Sequence, residues 1–203
     1  MKEIAAVQDK IESTFRKQVL NDKKVRNAYL LVHSEKLGID LNIAEGKTGD
    51  VQANPQQANH LASVGKLFTA TVIGMLHDKG LLHFDDKIAD YLDTDLMKGL
   101  HVYKGQEYSG DITIKHLLKQ TSGLNDVFFP LSKKMMNDPH LEMTVREALQ
   151  WGKTNLKPVG KPGQKHFYTD TNYYLLGLII ERVSGKTFHE AVHAMIFEPL
   201  KME

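Results

Sequence analysis

Ala62-Ser63-Val64-Gly65-Lys66-Leu67-Phe68-Thr69-Ala70 sets a serine and a lysine three residues apart, and Phe167-Tyr168-Thr169-Asp170-Thr171-Asn172-Tyr173 adds a tyrosine motif about a hundred residues later. A serine hydroxyl is a poor nucleophile near neutral pH and needs a base within hydrogen-bond reach. Residues three apart on a helix share a face, so the spacing puts Lys66 over Ser63. Tyr168, brought in from another segment, can complete a proton relay.

Taken alone, Ser-x-x-Lys is a weak signal. The chain holds seven serines, and about one such match is expected by chance. The bland alternative is a helix start with a serine cap and a solvated lysine. Leu61, Val64, Leu67, Phe68, Val72, Met75 and Leu76 follow i, i+3, i+4 spacing and predict an amphipathic helix with its buried stripe beside Ser63. Gly65 removes a side chain next to the serine and leaves room for a substrate or a partner strand. Lys66 lies among apolar Val64, Leu67 and Phe68; desolvation there would push it toward the neutral form that a base requires.

Further segments carry a resemblance. Leu81-Leu82-His83-Phe84-Asp85-Asp86-Lys87-Ile88, then Ile112-Thr113-Ile114-Lys115-His116-Leu117-Leu118-Lys119-Gln120-Thr121-Ser122-Gly123-Leu124, then Pro162-Gly163 through Tyr168-Thr169-Asp170-Thr171-Asn172-Tyr173-Tyr174-Leu175-Leu176-Gly177, and finally Glu198-Pro199-Leu200-Lys201-Met202 occur in that order. Together they resemble the serine β-lactamase and penicillin-binding-protein family, in the branch of class C β-lactamases, D-alanyl-D-alanine carboxypeptidases and esterases, with Gln120 where histidine is common. The likeness covers roughly residues 25 to 203.

The resemblance implies a serine hydrolase acting through an acyl-enzyme on β-lactams, D-alanyl peptides or small esters, with no cofactor. It implies that Ser63 attacks, that Lys66 helps deprotonate it, and that Tyr168 accepts and returns the proton. The backbone N–H of Ser63 is expected to form half of the oxyanion hole. Asp170 stands where many relatives have asparagine. An ionised aspartate accepts hydrogen bonds from Lys66 but cannot donate to a substrate amide, and it favours protonated Lys66; esterase or peptidase chemistry stays open. The implied fold is α/β (α+β), an antiparallel sheet flanked by helices plus a mainly helical subdomain, in one domain over residues 1–203.

In this family a Lys-Thr-Gly or His-x-Gly strand well after the tyrosine motif supplies the second oxyanion donor, and none is found here. Lys47-Thr48-Gly49 comes before Ser63 and reads as a turn that matches by accident. Two strands are predicted, about Ala28–His33 and Ile39–Ala44, joined around Gly38; such a hairpin is marginal alone and its open edge invites pairing. The domain is therefore expected to lack C-terminal strands and a closing helix and to turn over little by itself; it reads as a shortened piece, as the larger part of a protein whose C-terminal segment is a second chain, or as a chain that pairs with a second copy.

Composition narrows the classes. The 203 residues, 41% hydrophobic, fit one domain or the greater part of one. With 26 basic and 25 acidic residues the net charge is +1, which points to neither nucleic acid nor a membrane surface. There are no cysteines, hence no disulfide framework. No apolar run suggests a membrane span. Met1-Lys2-Glu3-Ile4 shows no signal-peptide core, so the compartment is open: cytoplasmic, or exported with the signal removed.

Along the chain, helices are predicted over Ile4–Leu20, Asp85–Leu92, Ile112–Gln120, Thr144–Trp151 (with a Thr144/Glu147 capping box) and Asn172–Ser184, the last closed by Gly185. Residues 46–59, 93–111 and 125–138 read as loops, and Phe128-Phe129 in the last is either core or a wall of an acyl cleft. His189-Glu190-Ala191-Val192-His193 fits a zinc-peptidase pattern and is the rival chemistry. No histidine follows His193, so the usual third ligand is missing, and Thr187 with Glu190 forms a capping box that gives Glu190 a structural task. A non-enzymatic relative, keeping the fold as a sensor or scaffold, is the other alternative.

Overall fold

The computed structural model describes residues 2–138 and 140–202, which fall into two compact units, residues 1–60 and 61–203. In the first, helix α1 (Lys2–Asn21) packs on an antiparallel sheet of β1 (Asn27–Ser34), β2 (Ile39–Thr48) and β3 (Val51–Gln52), in the order β1-β2-β3. The β1–β2 register runs from Asn27 opposite Gly46 to Ser34 opposite Ile39. Gly38 turns the chain at φ +61°, a left-handed conformation that costs glycine nothing. Arg16 bridges helix and sheet, pairing with Glu12 on its own helix and with Glu45 on β2.

Two sequence expectations change here. The hairpin has a third strand, and the loop expected over residues 46–59 contains it. Thr48 and Val51 pair across a two-residue turn of Gly49 (φ +60°) and Asp50, so Lys47-Thr48-Gly49 is the end of a strand plus a hairpin turn.

The second unit is helical. Helix α2 (Gly65–Asp78) packs against α7 (Asp170–Ser184) and α8 (Phe188–Val192), and α4 (Ile114–Leu118) also lies on α7. Val72 and Ile73 from α2, Ile114 and Leu117 from α4, and Leu175, Leu176, Ile179 and Ile180 from α7 are all fully buried. The sequence stripe on α2 is half right. Val72 and Leu76 are buried with the missed Thr69 and Ile73, but Leu61, Val64 and Leu67 are 51%, 52% and 67% exposed. The buried face of α2 is the one that meets α7, and simple periodicity cannot say where the stripe stops.

Three other segments differ from expectation. Residues 85–92 contain only one 3₁₀ turn, Ile88–Asp90. Residues 93–111 fold into α3 (Thr94–Met97) and a small ladder of β4 (Val102–Tyr103) and β5 (Gln106–Glu107). The expected 125–138 loop is helix α5 (Phe128–Asn137). Pro130 sits in its first turn, where no intrahelical N–H is needed, and Leu131 is its buried anchor. Phe129 is 73% exposed and so is not core. Helix α6 (Val145–Asn155) carries the expected Thr144/Glu147 capping box, and α7 ends at left-handed Gly185 as read from the sequence. A π-helical turn (His193–Phe197) and α9 (Glu198–Leu200) follow α8. No described helix is long and apolar enough to cross a membrane.

His101 is fully buried, and neither ring nitrogen has a hydrogen-bond partner among the described residues. Burial pushes its pKa below the ordinary 6.5, with the backbone of Gly160 and Ser122 and the charge of Asp111 offsetting part of this. The half-buried His116 shifts the same way, mainly by burial. The unfolded chain therefore binds protons first as pH falls through 6.5, and stability present above that pH is lost below it. Thermal melting should fall on acidification below pH 6.5, and less steeply in His101→Phe. A melting temperature flat across that range would contradict the burial argument.

Candidate active site

Ala62, a non-glycine residue at φ +46°, turns the chain immediately before Ser63. Ser63 then lies in a 3₁₀ turn, Ala62–Val64, that runs directly into α2. Lys66 is in the first turn of α2, and its Nζ lies 3.2 Å from Ser63 Oγ. Tyr168, two residues before α7, donates its hydroxyl to Ser63 Oγ at 2.9 Å. The three residues singled out in the sequence therefore meet, although 105 residues separate Ser63 from Tyr168.

Asp170, the first residue of α7, forms an ion pair with Lys66. The two side chains are only 17% and 21% exposed, so water screens the pair weakly. The Lys66 ammonium also stands 4.9 Å from the centre of the Tyr168 ring and 5.6 Å from that of Tyr173. Burial acts to lower the Lys66 pKa, but the hydrogen bonds and charges of Asp170 and Tyr168 outweigh it and hold the pKa above the ordinary 10.5. The sequence offered both a lysine made neutral by apolar neighbours and one kept protonated by Asp170, and the surroundings of Lys66 favour the second. Val64 and Leu67, which were to desolvate it, are exposed, and what packs against Lys66 supplies negative charge and π-electrons. Because Lys66 holds its proton, it acts at rest as a donor to Ser63.

Gly65, the first residue of α2, lines a cavity of about 390 Å³ with Lys66, Thr69, Tyr173, Gly177 and Leu178. A Cβ on Gly65 would meet no atom within 4 Å outside its chain neighbours and its own helix backbone, so the space at this position is open; Ser63 itself is not among the residues lining the cavity. Burial raises the Tyr173 pKa, keeping that hydroxyl protonated. Phe128 and Phe129 pack edge to face on α5 and are not among the groups around Ser63. His166 is exposed.

Sequence reasoning missed the groups that hold the tyrosine loop. Asp126 Oδ1 accepts the Asp170 N–H (2.7 Å) and the Thr169 hydroxyl (3.0 Å). Thr169 caps α7 by accepting the Thr171 N–H at 3.0 Å. The Thr171 hydroxyl donates to the Asn125 carbonyl at 2.8 Å and accepts the Val127 N–H at 3.1 Å. Buried Ser122 donates to Asn172 Oδ1 at 2.6 Å. The sequence signals for these were the Thr121-Ser122-Gly123-Leu124 segment and the tyrosine motif's own Thr169, Thr171 and Asn172; none pointed to Asp126.

His189 and His193 have ring centres 6.4 Å apart, but no group of three or more His, Asp or Glu side chains suited to a metal is formed among the described residues. Glu190 is occupied at its helix start, accepting the Thr187 N–H at 2.9 Å and the Thr187 hydroxyl at 2.8 Å.

The sequence profile of the beta-lactamase family matches residues 19–203. The chain belongs to the beta-lactamase family. A penicillin-binding protein of Bacillus subtilis (strain 168) is 34% identical over 148 residues, which make up 70% of this chain and 29% of that protein. The octameric penicillin-binding protein homologue from Pyrococcus abyssi is 26% identical, with a TM-score of 0.76, covering 96% of this chain and 43% of that one. The D-stereospecific amidohydrolase from Streptomyces sp. is 25% identical, with a TM-score of 0.67, covering 80% of this chain and 46% of that one. This beta-lactamase-family chain thus spans less than half the length of these relatives, and its fold is the β-lactamase/transpeptidase fold. Its relatives include hydrolases.

Replacing Asp170 by asparagine removes the charge that holds Lys66 protonated. In Asp170→Asn the Lys66 ammonium should therefore titrate at lower pH, read from the Nζ resonance in an NMR titration of labelled lysine. An unchanged titration would show that Asp170 does not control Lys66.

Proposed function

We propose that this chain carries the nucleophilic half of a serine hydrolase that works through an acyl-enzyme. The observation that supports this best is Ser63 Oγ within hydrogen-bond reach of both Lys66 Nζ and Tyr168 Oη. Ser63 attacks the carbonyl carbon of an ester, D-alanyl peptide or β-lactam, its proton passes to the Tyr168–Lys66 pair, and the pair returns a proton to the leaving group. Water then attacks the Ser63 ester by the reverse route. Both neighbours are placed as donors to Ser63 Oγ, so one must first give up a proton before it can accept the one from Ser63. Asp170 disfavours loss from Lys66, so Tyr168 is the favoured acceptor: its phenol first passes its proton to solvent, and the phenolate then takes the Ser63 proton. The Ser63 N–H serves as one oxyanion donor, Gly65 leaves the approach open, and residues 1–203 are read as belonging to one domain. The Streptomyces relative is a D-stereospecific amidohydrolase, which favours the D-alanyl peptide among these substrates.

A silent sensor or scaffold draws support from one observation, the ion pair that keeps Lys66 charged. Intact mass spectrometry after a fluorophosphonate or penicillin probe separates the two readings, because acylation does not require full turnover. The expected result is an adduct on this chain that is absent in Ser63→Ala. Tyr168→Phe should slow acylation by about 10²- to 10⁴-fold, the usual worth of a positioned acid–base group. No adduct on Ser63 with either probe would favour the silent reading.

A further inference from the structure

Tyr168 is 51% exposed, so packing cannot fix the hydroxyl that reaches Ser63. The backbone N–H groups of the residues directly before and after it are held instead, both by one residue. The Phe167 N–H donates to the Gln120 carbonyl at 2.8 Å. The Thr169 N–H donates to Gln120 Oε1 at 3.1 Å. Gln120 therefore grips the chain on both sides of Tyr168, once with its main chain and once with its side chain.

The side-chain grip is itself braced. Gln120 is 6% exposed, and its Oε1 also accepts Asn172 Nδ2 at 2.6 Å. Asn172 in turn accepts the Ser122 hydroxyl, and Ser122 Oγ accepts the Leu124 N–H at 3.1 Å. Gln120 sits just past α4 at φ +57°, a region that glycine or asparagine fills more readily than glutamine. Backbone ease alone does not select glutamine there; an amide oxygen at this reach does what neither glycine nor asparagine can.

We propose that Gln120 is the positioning residue for Tyr168, setting the tyrosine hydroxyl on Ser63 by clamping the peptide groups on either side of it. This rests on the acyl-enzyme reading of Ser63, Lys66 and Tyr168. A catalytic group displaced by about 1 Å loses on the order of 100-fold in rate. Loss of the Oε1 acceptor should therefore slow Ser63 acylation by about 10- to 100-fold.

The test uses Gln120→Gly, Gln120→Met and Gln120→Glu in the whole chain, with fluorophosphonate acylation of Ser63 followed by intact mass and folding followed by thermal melting. Gln120→Gly relieves the left-handed backbone but removes the acceptor, Gln120→Met keeps the length without it, and Gln120→Glu keeps it. Slow acylation in folded Gln120→Gly and Gln120→Met, with wild-type saturation by the probe and recovery in Gln120→Glu, is the expected result. Acylation at the wild-type rate in either folded variant lacking the acceptor overturns the proposal. So does a loss that only tracks the unfolded fraction. A wild-type chain that gives no Ser63 adduct fails at the earlier step and overturns the acyl-enzyme reading on which the proposal stands.

Discussion

The Lys66–Asp170 ion pair is the contact on which the site depends. It joins the first turn of α2 to the first residue of α7, so that the helix carrying the serine and the loop carrying the tyrosine share one charge. A half-buried ammonium without a partner would be driven toward neutrality. With Asp170 beside it the ammonium persists, and it presents its remaining protons to Ser63. Asp170 is also well placed for its own charge, because an anion in the first turn of a helix is stabilised by the helix dipole.

That charge arrangement needs stiff supports. Helices α2, α4 and α7 meet through fully buried aliphatic side chains, and such close-packed interiors deform little. The loop between residues 167 and 170 has no such packing. It is tied by polar groups instead, chiefly Gln120 and Asp126, which reach it with buried or half-buried hydrogen bonds, while Asn172 braces Gln120. Such buried networks hold their shape only when most members are satisfied. The site thus combines one oily joint, which fixes the helices, with one polar joint, which fixes the tyrosine.

Much of this was legible in the sequence where the cause is local. The Thr144/Glu147 and Thr187/Glu190 capping boxes, the stop at Gly185 and the turn at Gly38 depend on residues a few positions apart. The strands of the β1–β2 hairpin were found for the same reason. Helix α5 was missed because Pro130 and the paired phenylalanines obscure an amphipathic pattern that rests on a single fully packed residue, Leu131. The β4–β5 ladder was missed because two-residue strands carry no periodicity. Leu61, Val64 and Leu67 were wrongly placed in the core because helical spacing names a face but not the extent of what covers it.

By itself the sequence determined the chemistry on offer: a serine, a lysine three residues on and a tyrosine motif in family order, with an aspartate in place of the usual asparagine. Helical spacing is a local property, so Lys66 had to lie over Ser63. Only the tertiary structure decided the state of that lysine and the aim of that tyrosine. The sequence left two readings of the lysine, neutral among apolar neighbours or protonated beside Asp170, and the field at Lys66 is set by Asp170 and Tyr168, more than a hundred residues away along the chain and adjacent in space. A side chain's proton affinity follows its three-dimensional surroundings, and no spacing rule contains them.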